Sequence, residues 1–431
     1  MTTPRTFARS EALLQRALKR IPLGTQTFSK SKTQFPQGVS PYYVTHGKGA
    51  RVWDVDGNEY IDFISSLNAV LLGYADDDVN AAVAEMLQWG SIFSLPHPIE
   101  IEVAEALAEM VPCAEMARFG KNGSDVTAGA VRLARAYTRR DYIVVCGYHG
   151  WQDWYIGTTS RNLGVPKATR ELTKTFRFND IDSLAAVFRE LPDQVAAVIM
   201  EPMHAEFPRE GFLAEVRELT HRHGALLVFD EMITGFRFAN GGAQEYFGVI
   251  PDLATFGKGL SNGFPLSALA GRAEVMRMME EVFFSFTFGG ETLSLAAARA
   301  SLDKLKAEPV AATMVTHGQA IMDGLNAAIA RNGLGEVLSV SGHPSWSAIA
   351  VADHAGISQW EIKTLFLQEM FARGILTYGA HNMSYAHREP EVARLLAVYD
   401  EVLPIVADAV LNGRMAEALR CKPLVPLFTV R

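Results

Sequence analysis

The stretch DLATFGKGLSNGFPLSALAG, residues 252–271, places a single lysine, Lys258, between two glycines where an apolar run ends. Leu253–Phe256 reads as a short buried strand and Ser267–Gly271 as a second, with a Gly/Pro-rich turn between them. Gly257 and Gly259 let backbone or ligand come close, and Pro265 stiffens the return. A solvated loop lysine needs no such setting. At the end of a buried strand a lysine is desolvated, which lowers its pKa and frees the amine as a nucleophile, for instance toward an aldehyde in a Schiff base.

Outward from this stretch, short apolar runs alternate with helical segments from about residue 75 to residue 300: IVVC (143–146), VAAVIM (195–200) and ALLVF (225–229) precede LATF and SALAG. Buried strands separated by helices predict a mostly parallel sheet covered on both faces. Upstream, Ser10–Arg20 has the pattern of an amphipathic helix, and ARVWDVDGNEYIDF predicts a β-hairpin turning at Asp56-Gly57. Downstream, LSVSGHPSWSAIAVA and GILTYGAHNMSYAHR sit among helical patterns, which predicts a smaller α+β domain. The expected division is an N-terminal helix-and-hairpin segment over 1–70 that packs with the small domain, a large domain over 71–305, and the small α+β domain over 306–431. Ligands of open parallel sheets lie outside the carboxyl ends of the strands, so the residues after each run carry the interest.

Composition narrows the function classes. The 431 residues are 48% hydrophobic, enough for a large core, and the net charge is −8. No basic stripe stands out to neutralise phosphates, so no nucleic-acid partner is expected. Cys113, Cys146 and Cys421 are scattered without metal-ligand or disulfide spacing, and no metal is expected. No apolar run approaches the ~20 residues of a membrane span, and the N-terminus shows no secretory apolar region. The expectation is a cytoplasmic protein with small-molecule partners and no membrane contact.

The strand ends are chemically loaded. Asp230-Glu231 follows ALLVF, and Tyr148 lies in GYHGWQDWY after IVVC. Gly123-Ser124-Asp125 opens a helical segment, with Ser124 expected near the N-cap. Each has a plain structural explanation when taken singly: a capped carboxylate, core packing, a helix cap. Together they describe a site for pyridoxal 5′-phosphate (PLP). Lys258 offers an amine for the aldehyde, and Asp230 a carboxylate to keep the pyridine nitrogen protonated. Tyr148 provides a plate for the ring, while Gly123 and Ser124 at a helix N-terminus make a phosphate cup.

These residues sit in longer motifs: VWDVDGNEYIDF, NGSD, YHG, GVPKAT, VIMEPM, LLVFDEMITGFR, ATFGKGLSNGFPLSALAG and FTFGGETLSLAAA. Through them the sequence resembles the class III, fold type I, PLP-dependent aminotransferases, most of all the glutamate-1-semialdehyde 2,1-aminomutase branch. The resemblance implies an α/β fold, with a mostly parallel seven-stranded sheet between helices plus the smaller α+β domain. By position it makes Lys258 the cofactor lysine and proton shuttle, and Asp230 the partner of the pyridine nitrogen. Tyr148 would lie on one ring face and Met232 on the other, where many relatives have valine. Gly123 and Ser124 would hold the phosphate, and Thr287 would reach the phosphate of the neighbouring subunit, which implies a homodimer with shared active sites. Glu206 matches a glutamate over the substrate side. The implied reaction is a ping-pong amino transfer from a donor amine to a carbonyl acceptor.

Departures from the family pattern bear on substrate. Where the aminomutases carry an arginine in an N-terminal SPVR segment, this chain reads SPYYV, with Tyr42 and Tyr43. In GILTYGAHNMSYAHR, where ω-aminotransferases place a carboxylate-clamping arginine, His381, Asn382, Tyr385 and His387 come first and Arg388 last. Neither tyrosine nor histidine reproduces the guanidinium fork. With Trp151 replacing a histidine after YHG, the expected pocket (Tyr42, Trp151, Glu206, His381, Asn382) suits a sugar-like or aromatic carbonyl compound without an α-carboxylate. A loop arginine such as Arg161 could restore the charge, and aminomutase chemistry remains the alternative. GLSNG (259–263) also fits a hydrolase nucleophile elbow with Ser261, but that elbow should follow a strand directly and open a helix, which Phe264-Pro265 blocks. A catalytically silent binding protein would have no reason to keep both Lys258 and Asp230.

Overall fold

The computed structural model describes residues 5–425, which form two compact units. The first is built from residues up to Leu67, from Leu72–Asp76 and from Thr313 onward; the second comprises Asn68–Leu71 and Asp77–Ala312.

The first unit begins with a helix over Ala8–Leu18, followed by strands β1 (Val44–Lys48), β2 (Arg51–Asp54) and β3 (Glu59–Asp62). β2 and β3 pair antiparallel across the expected hairpin, and Gly57 takes the positive φ of 87° that its turn requires. Asp54 braces this turn by accepting the backbone N–H groups of Asp56 and Asn58 at 2.9 and 2.8 Å.

The second unit carries a seven-stranded sheet: β4 (Met116–Gly120), β5 (Tyr142–Cys146), β6 (Thr173–Thr175), β7 (Val195–Met200), β8 (Leu226–Asp230), β9 (Leu253–Phe256) and β10 (Ser267–Gly271). The order is β4-β10-β9-β8-β7-β5-β6, with only β10 running antiparallel to its neighbours. Every residue of β7, β8, β9 and β10 is buried, which is why these strands read as unbroken apolar runs. Alternate side chains sort to opposite faces. Ile143, Ile199 and Val228 pack with Val126, Ala130 and Leu133 of the helix Gly123–Thr138. Val144, Val198 and Leu227 pack on the other face with Leu184 and Val187 of Ile181–Glu190 and Val216 of Phe212–Arg222. Each such buried aliphatic side chain contributes roughly 1.5–3 kcal/mol.

Returning to the first unit, β11 (Leu338–His343) and β12 (Trp346–Val351) form a hairpin. β13 (Ile375–Leu376) pairs parallel with β3, and β14 (Ala380–Asn382) pairs with β12. Ser358 and Glu361 form a capping box that starts the helix Gln359–Ala372, and a second long helix spans Glu389–Leu411.

Candidate active site

Strands β5, β7, β8 and β9 run parallel, so their carboxyl ends share one edge of the sheet. The register aligns Cys146 with Met200, Met200 with Phe229, and Asp230 with Thr255. Tyr148 and His149, Glu201, Asp230 and Lys258 therefore follow neighbouring strand ends. Long-range pairing assembles a site from residues far apart in the chain.

Lys258 opens a short 3₁₀ turn, Lys258–Ser261, immediately beyond β9. Its φ of 43° is left-handed, a sparsely populated conformation for a residue with a Cβ. Burial holds its amine below the usual lysine range, against the opposing pull of Glu201 and Asp230. Asp230 ends β8 with its carboxylate fixed from several sides. Oδ2 lies 2.8 Å from His149 Nδ1, while Oδ1 accepts the Met232 N–H at 3.1 Å and the Thr255 hydroxyl at 3.3 Å. His149 is itself buried, and its Nε2 has no partner among the described residues.

Glu201, just after β7, accepts the Tyr148 N–H at 2.9 Å through Oε2. Burial and the nearby Asp230 charge push its carboxyl up to about 7, with His149 and Lys258 pulling the other way. Gly147 makes this approach possible. A Cβ there would stand 2.4 Å from Glu201 Oε2, and the residue's φ is +107°. Tyr148 itself is half exposed, its ring set edge-on to Tyr155 at 5.5 Å between centroids.

At the start of Gly123–Thr138 the N-cap is Asn122, not Ser124. Asp125 reaches back to accept the N–H groups of Lys121 and Asn122 at 3.1 and 2.7 Å, which sets the N-cap two positions before Ser124. Ser124 is thus inside the first turn, buried, with its Oγ accepting the Trp151 N–H at 3.3 Å. Met232 lies in a slot that glycine makes: a Cβ on either Gly123 or Gly257 would approach its sulfur to 2.8 Å.

PLP fits these residues on independent grounds. A desolvated amine and a fixed carboxylate share one sheet edge with an orphaned imidazole nitrogen behind the carboxylate, and the N-terminus of a long helix supplies N–H groups for a phosphate. Such a site on a mostly parallel, doubly covered sheet defines a fold type I PLP-dependent enzyme. The chain belongs to the class-III aminotransferase family, whose pattern matches residues 34–394.

It is 33% identical over 408 residues to a 3-aminobutyryl-CoA aminotransferase of Cloacimonas acidaminovorans, covering 92% of this chain and 97% of that one. It is 34% identical over 431 residues to a glutamate-1-semialdehyde 2,1-aminomutase of Lachnoclostridium phytofermentans, covering 93% of this chain and 100% of the relative. Among solved structures, the PLP internal aldimine form of the FumI protein of Sphingopyxis sp. MTA144 superposes with a TM-score of 0.88 at 30% identity, covering 97% and 99% of the two chains. The protein is a PLP-dependent enzyme of the aminotransferase kind.

The second unit brings together Lys258, Asp230, Tyr148, Met232, Gly123 and Ser124 through the contacts above. Trp151, Glu206 and Thr287 lie exposed on loops of the same unit. Tyr42, His381 and Asn382 belong to the first unit. There Tyr42 is half-buried and its hydroxyl accepts the Gly38 N–H at 3.1 Å. His381 is buried with Nδ1 on Ser347 Oγ at 2.8 Å and Nε2 on Tyr399 OH at 2.6 Å. Asn382 donates to the Ile64 carbonyl at 2.8 Å. Ser261 is fully buried and its hydroxyl donates to the Phe264 carbonyl at 2.6 Å, so the hydrolase elbow offers no nucleophile. Sequence reading gave no role to His149 or Glu201. Their signal was present in YHG and in the EP that follows VAAVIM, both at strand ends.

Proposed function

We propose that this chain moves an amino group between a donor amine and a carbonyl acceptor that lacks an α-carboxylate, with Lys258 and Asp230 at the centre of a site shared in a homodimer. The carrying observation is the desolvated Lys258 amine, held in a left-handed turn on the sheet edge that also bears Asp230. Bound PLP supplies an aldehyde and a protonated ring that accepts electron density from the carbon losing its proton. Lys258 would hold the cofactor at rest and, once freed by the donor, would carry the proton from the substrate Cα to C4′ of the cofactor, across the intervening nitrogen. Asp230 presents its negative charge to the ring nitrogen, and His149 fixes the direction of that carboxylate. Gly123, Ser124 and the first N–H groups of Gly123–Thr138 take the phosphate. Tyr148 and Met232 cover the ring faces.

The acceptor reading rests on the missing guanidinium in SPYYV and on the use already made of Arg388, which stacks over Tyr385 at 3.7 Å. His381 and Asn382, expected to satisfy substrate hydroxyls, spend hydrogen bonds inside their own unit, which removes support for a polyhydroxylated acceptor. Trp151 remains exposed aromatic surface, and an aromatic carbonyl compound suits it better. Intramolecular transfer of the aminomutase type would use the same residues, and the Lachnoclostridium relative favours it.

Support for the dimer comes from an apolar surface on the second unit. Trp89, Leu95 and Phe283 are 75%, 78% and 81% exposed, and Pro96, Pro98, Ile101, Phe284 and Phe286 line one groove, the last of them one residue before Thr287 in the chain. Monomers seldom leave so much large apolar surface in water. A cytoplasmic setting belongs to the same proposal: Cys113 and Cys146 are buried free thiols, in keeping with a reducing compartment. No described helix is long and apolar enough to cross a membrane.

The test is to load the enzyme with pyridoxamine phosphate and follow the return of visible absorbance on adding carbonyl compounds. Aromatic aldehydes and ketones should restore it fastest. If glutamate-1-semialdehyde exceeded them by about a hundredfold in kcat/KM, the acceptor reading would fall and the aminomutase reading would replace it.

A further inference from the structure

The first unit holds a cavity of about 370 Å³ walled by Leu14, Leu23, Phe35, Val52, Ile64 and Leu376. Its polar groups are few and uneven in sign. Asp62 is buried and already well supplied with donors: Oδ1 accepts the N–H groups of Ile64 and Ser65 at 2.7 and 3.3 Å, and Oδ2 accepts the Tyr74 hydroxyl at 2.5 Å. Lys30 lines the cavity and acts electrostatically on that carboxylate. Lys32 lines it too, half-buried, and its ammonium has neither a hydrogen bond nor an ion pair among the described residues. The Tyr43 and Tyr378 hydroxyls donate to the carbonyls of Gly24 and Ser29, so they close the wall instead of facing a guest.

We propose that this cavity binds a medium-length aliphatic chain ending in a single anionic group, the chain against the apolar wall and the anion on Lys32. Two lysines and one carboxylate line the cavity, and the hydrogen-bonding capacity of the carboxylate is largely used, so the vacant capacity is positive and selects an anion over an amine. The volume is at the low end of the roughly 300–1,000 Å³ of small-molecule sites, which suits a medium chain and excludes a long lipid or a dinucleotide. An ammonium bordered by hydrocarbon gains most from an anion whose tail also displaces water from that hydrocarbon. None of the cofactor residues takes part. Tyr42, expected from sequence in the acceptor pocket, also lines this cavity.

Calorimetry on the holoenzyme with octanoate, butyrate, octanol and octylamine tests the site. Octanoate should bind, butyrate at least about tenfold more weakly for want of chain, and octylamine not at all. Lys32→Ala should weaken octanoate about tenfold while leaving octanol unchanged, and Lys32→Arg should restore it. Leu14→Trp, which fills the cavity, should abolish octanoate binding. The visible band of bound PLP, unaltered in these variants, separates a failure here from a failure of the aminotransferase reading. The inference is overturned if octanoate does not bind at millimolar concentration, if it binds equally to wild type, Lys32→Ala and Leu14→Trp, or if octylamine binds as well as octanoate.

Discussion

His381 in the first unit and His149 in the second are both buried histidines, and what surrounds them differs. His381 has both ring nitrogens engaged, by Ser347 and Tyr399, and burial pushes its pKa down to about 3. His149 holds Asp230 through Nδ1, and its Nε2 has no partner among the described residues. The same contrast separates two adjacent carboxylates. Glu231 is saturated by the Thr234 hydroxyl, the N–H groups of Ala243 and Gln244 at 2.8 and 2.9 Å, and the Gln244 side chain at 3.3 Å. Asp230 lies at a strand end, bonded to an imidazole that has spare capacity. Burial alone marks neither structure nor chemistry. Spare hydrogen-bonding capacity next to a desolvated amine marks chemistry, because evolution otherwise fills or removes such groups.

The contrast can be broken by substitution, and the largest effect is expected at Lys258. Lys258→Ala should lower turnover by roughly 10⁴-fold or more and abolish cofactor retained covalently after borohydride reduction. Turnover near the wild-type rate would remove Lys258 from the mechanism. Asp230→Asn should keep the fold and bind cofactor while losing about 10²–10³ in kcat, since the ring nitrogen loses its counter-charge. A loss of only a few-fold in steady-state kinetics would assign that role to another group.

His381→Ala should behave in the opposite way. It leaves the Ser347 and Tyr399 hydroxyls buried without their partner, at a cost of about 2–3 kcal/mol in chemical denaturation, with kcat per folded molecule unchanged. A large kcat effect with unaltered stability would move His381 from structure to chemistry.

Glu201 sharpens the comparison through pH. Its folded-state pKa of about 7 lies above the ordinary 4.5, so between those values the folded apo-protein keeps a proton that the unfolded chain has released. The stabilisation is complete below 4.5 and is lost as pH rises through about 7. Glu201→Gln removes this dependence and should gain on wild type by about 3 kcal/mol between acid and mildly alkaline pH, read as apo-protein melting temperatures. Parallel melting curves across that range would show that the carboxyl is ionised throughout. The smallest effect is expected at Thr287. Thr287→Ala should weaken cofactor retention by about 1 kcal/mol, the value of one lost hydrogen bond, in a species that sediments as a dimer. An active monomer would end the shared-site proposal.

Much of the sheet was legible because β7, β8, β9 and β10 are buried on both faces and appear as apolar runs with turn residues at their ends. Lys258 and Asp230 were legible for the same reason, as charges placed where hydrophobic runs stop. Contacts between strand ends were not. That His149 faces Asp230, and that Glu201 takes the Tyr148 N–H, depends on the register of β5, β7 and β8, which local sequence does not encode. The helix opens at Gly123 as its sequence indicates, but the N-cap itself is Asn122, because Asp125 reaches backward to Lys121 and Asn122. His381 and Asn382 looked available because their partners, Ser347, Tyr399 and Ile64, come from distant segments.

The left-handed backbone at Lys258 bears on the history of the chain. A side-chain-bearing residue in that conformation costs about 1–2 kcal/mol, and glycine would relieve most of it. Lys258→Gly should therefore unfold at a higher temperature than Lys258→Ala, although both are inactive; equal melting temperatures would show that the turn relaxes around alanine. A lineage that had given up amine chemistry would drift toward the relaxed residue, since nothing would oppose the gain in stability. On the proposed reading, a strained lysine still in place reflects selection acting on its nitrogen.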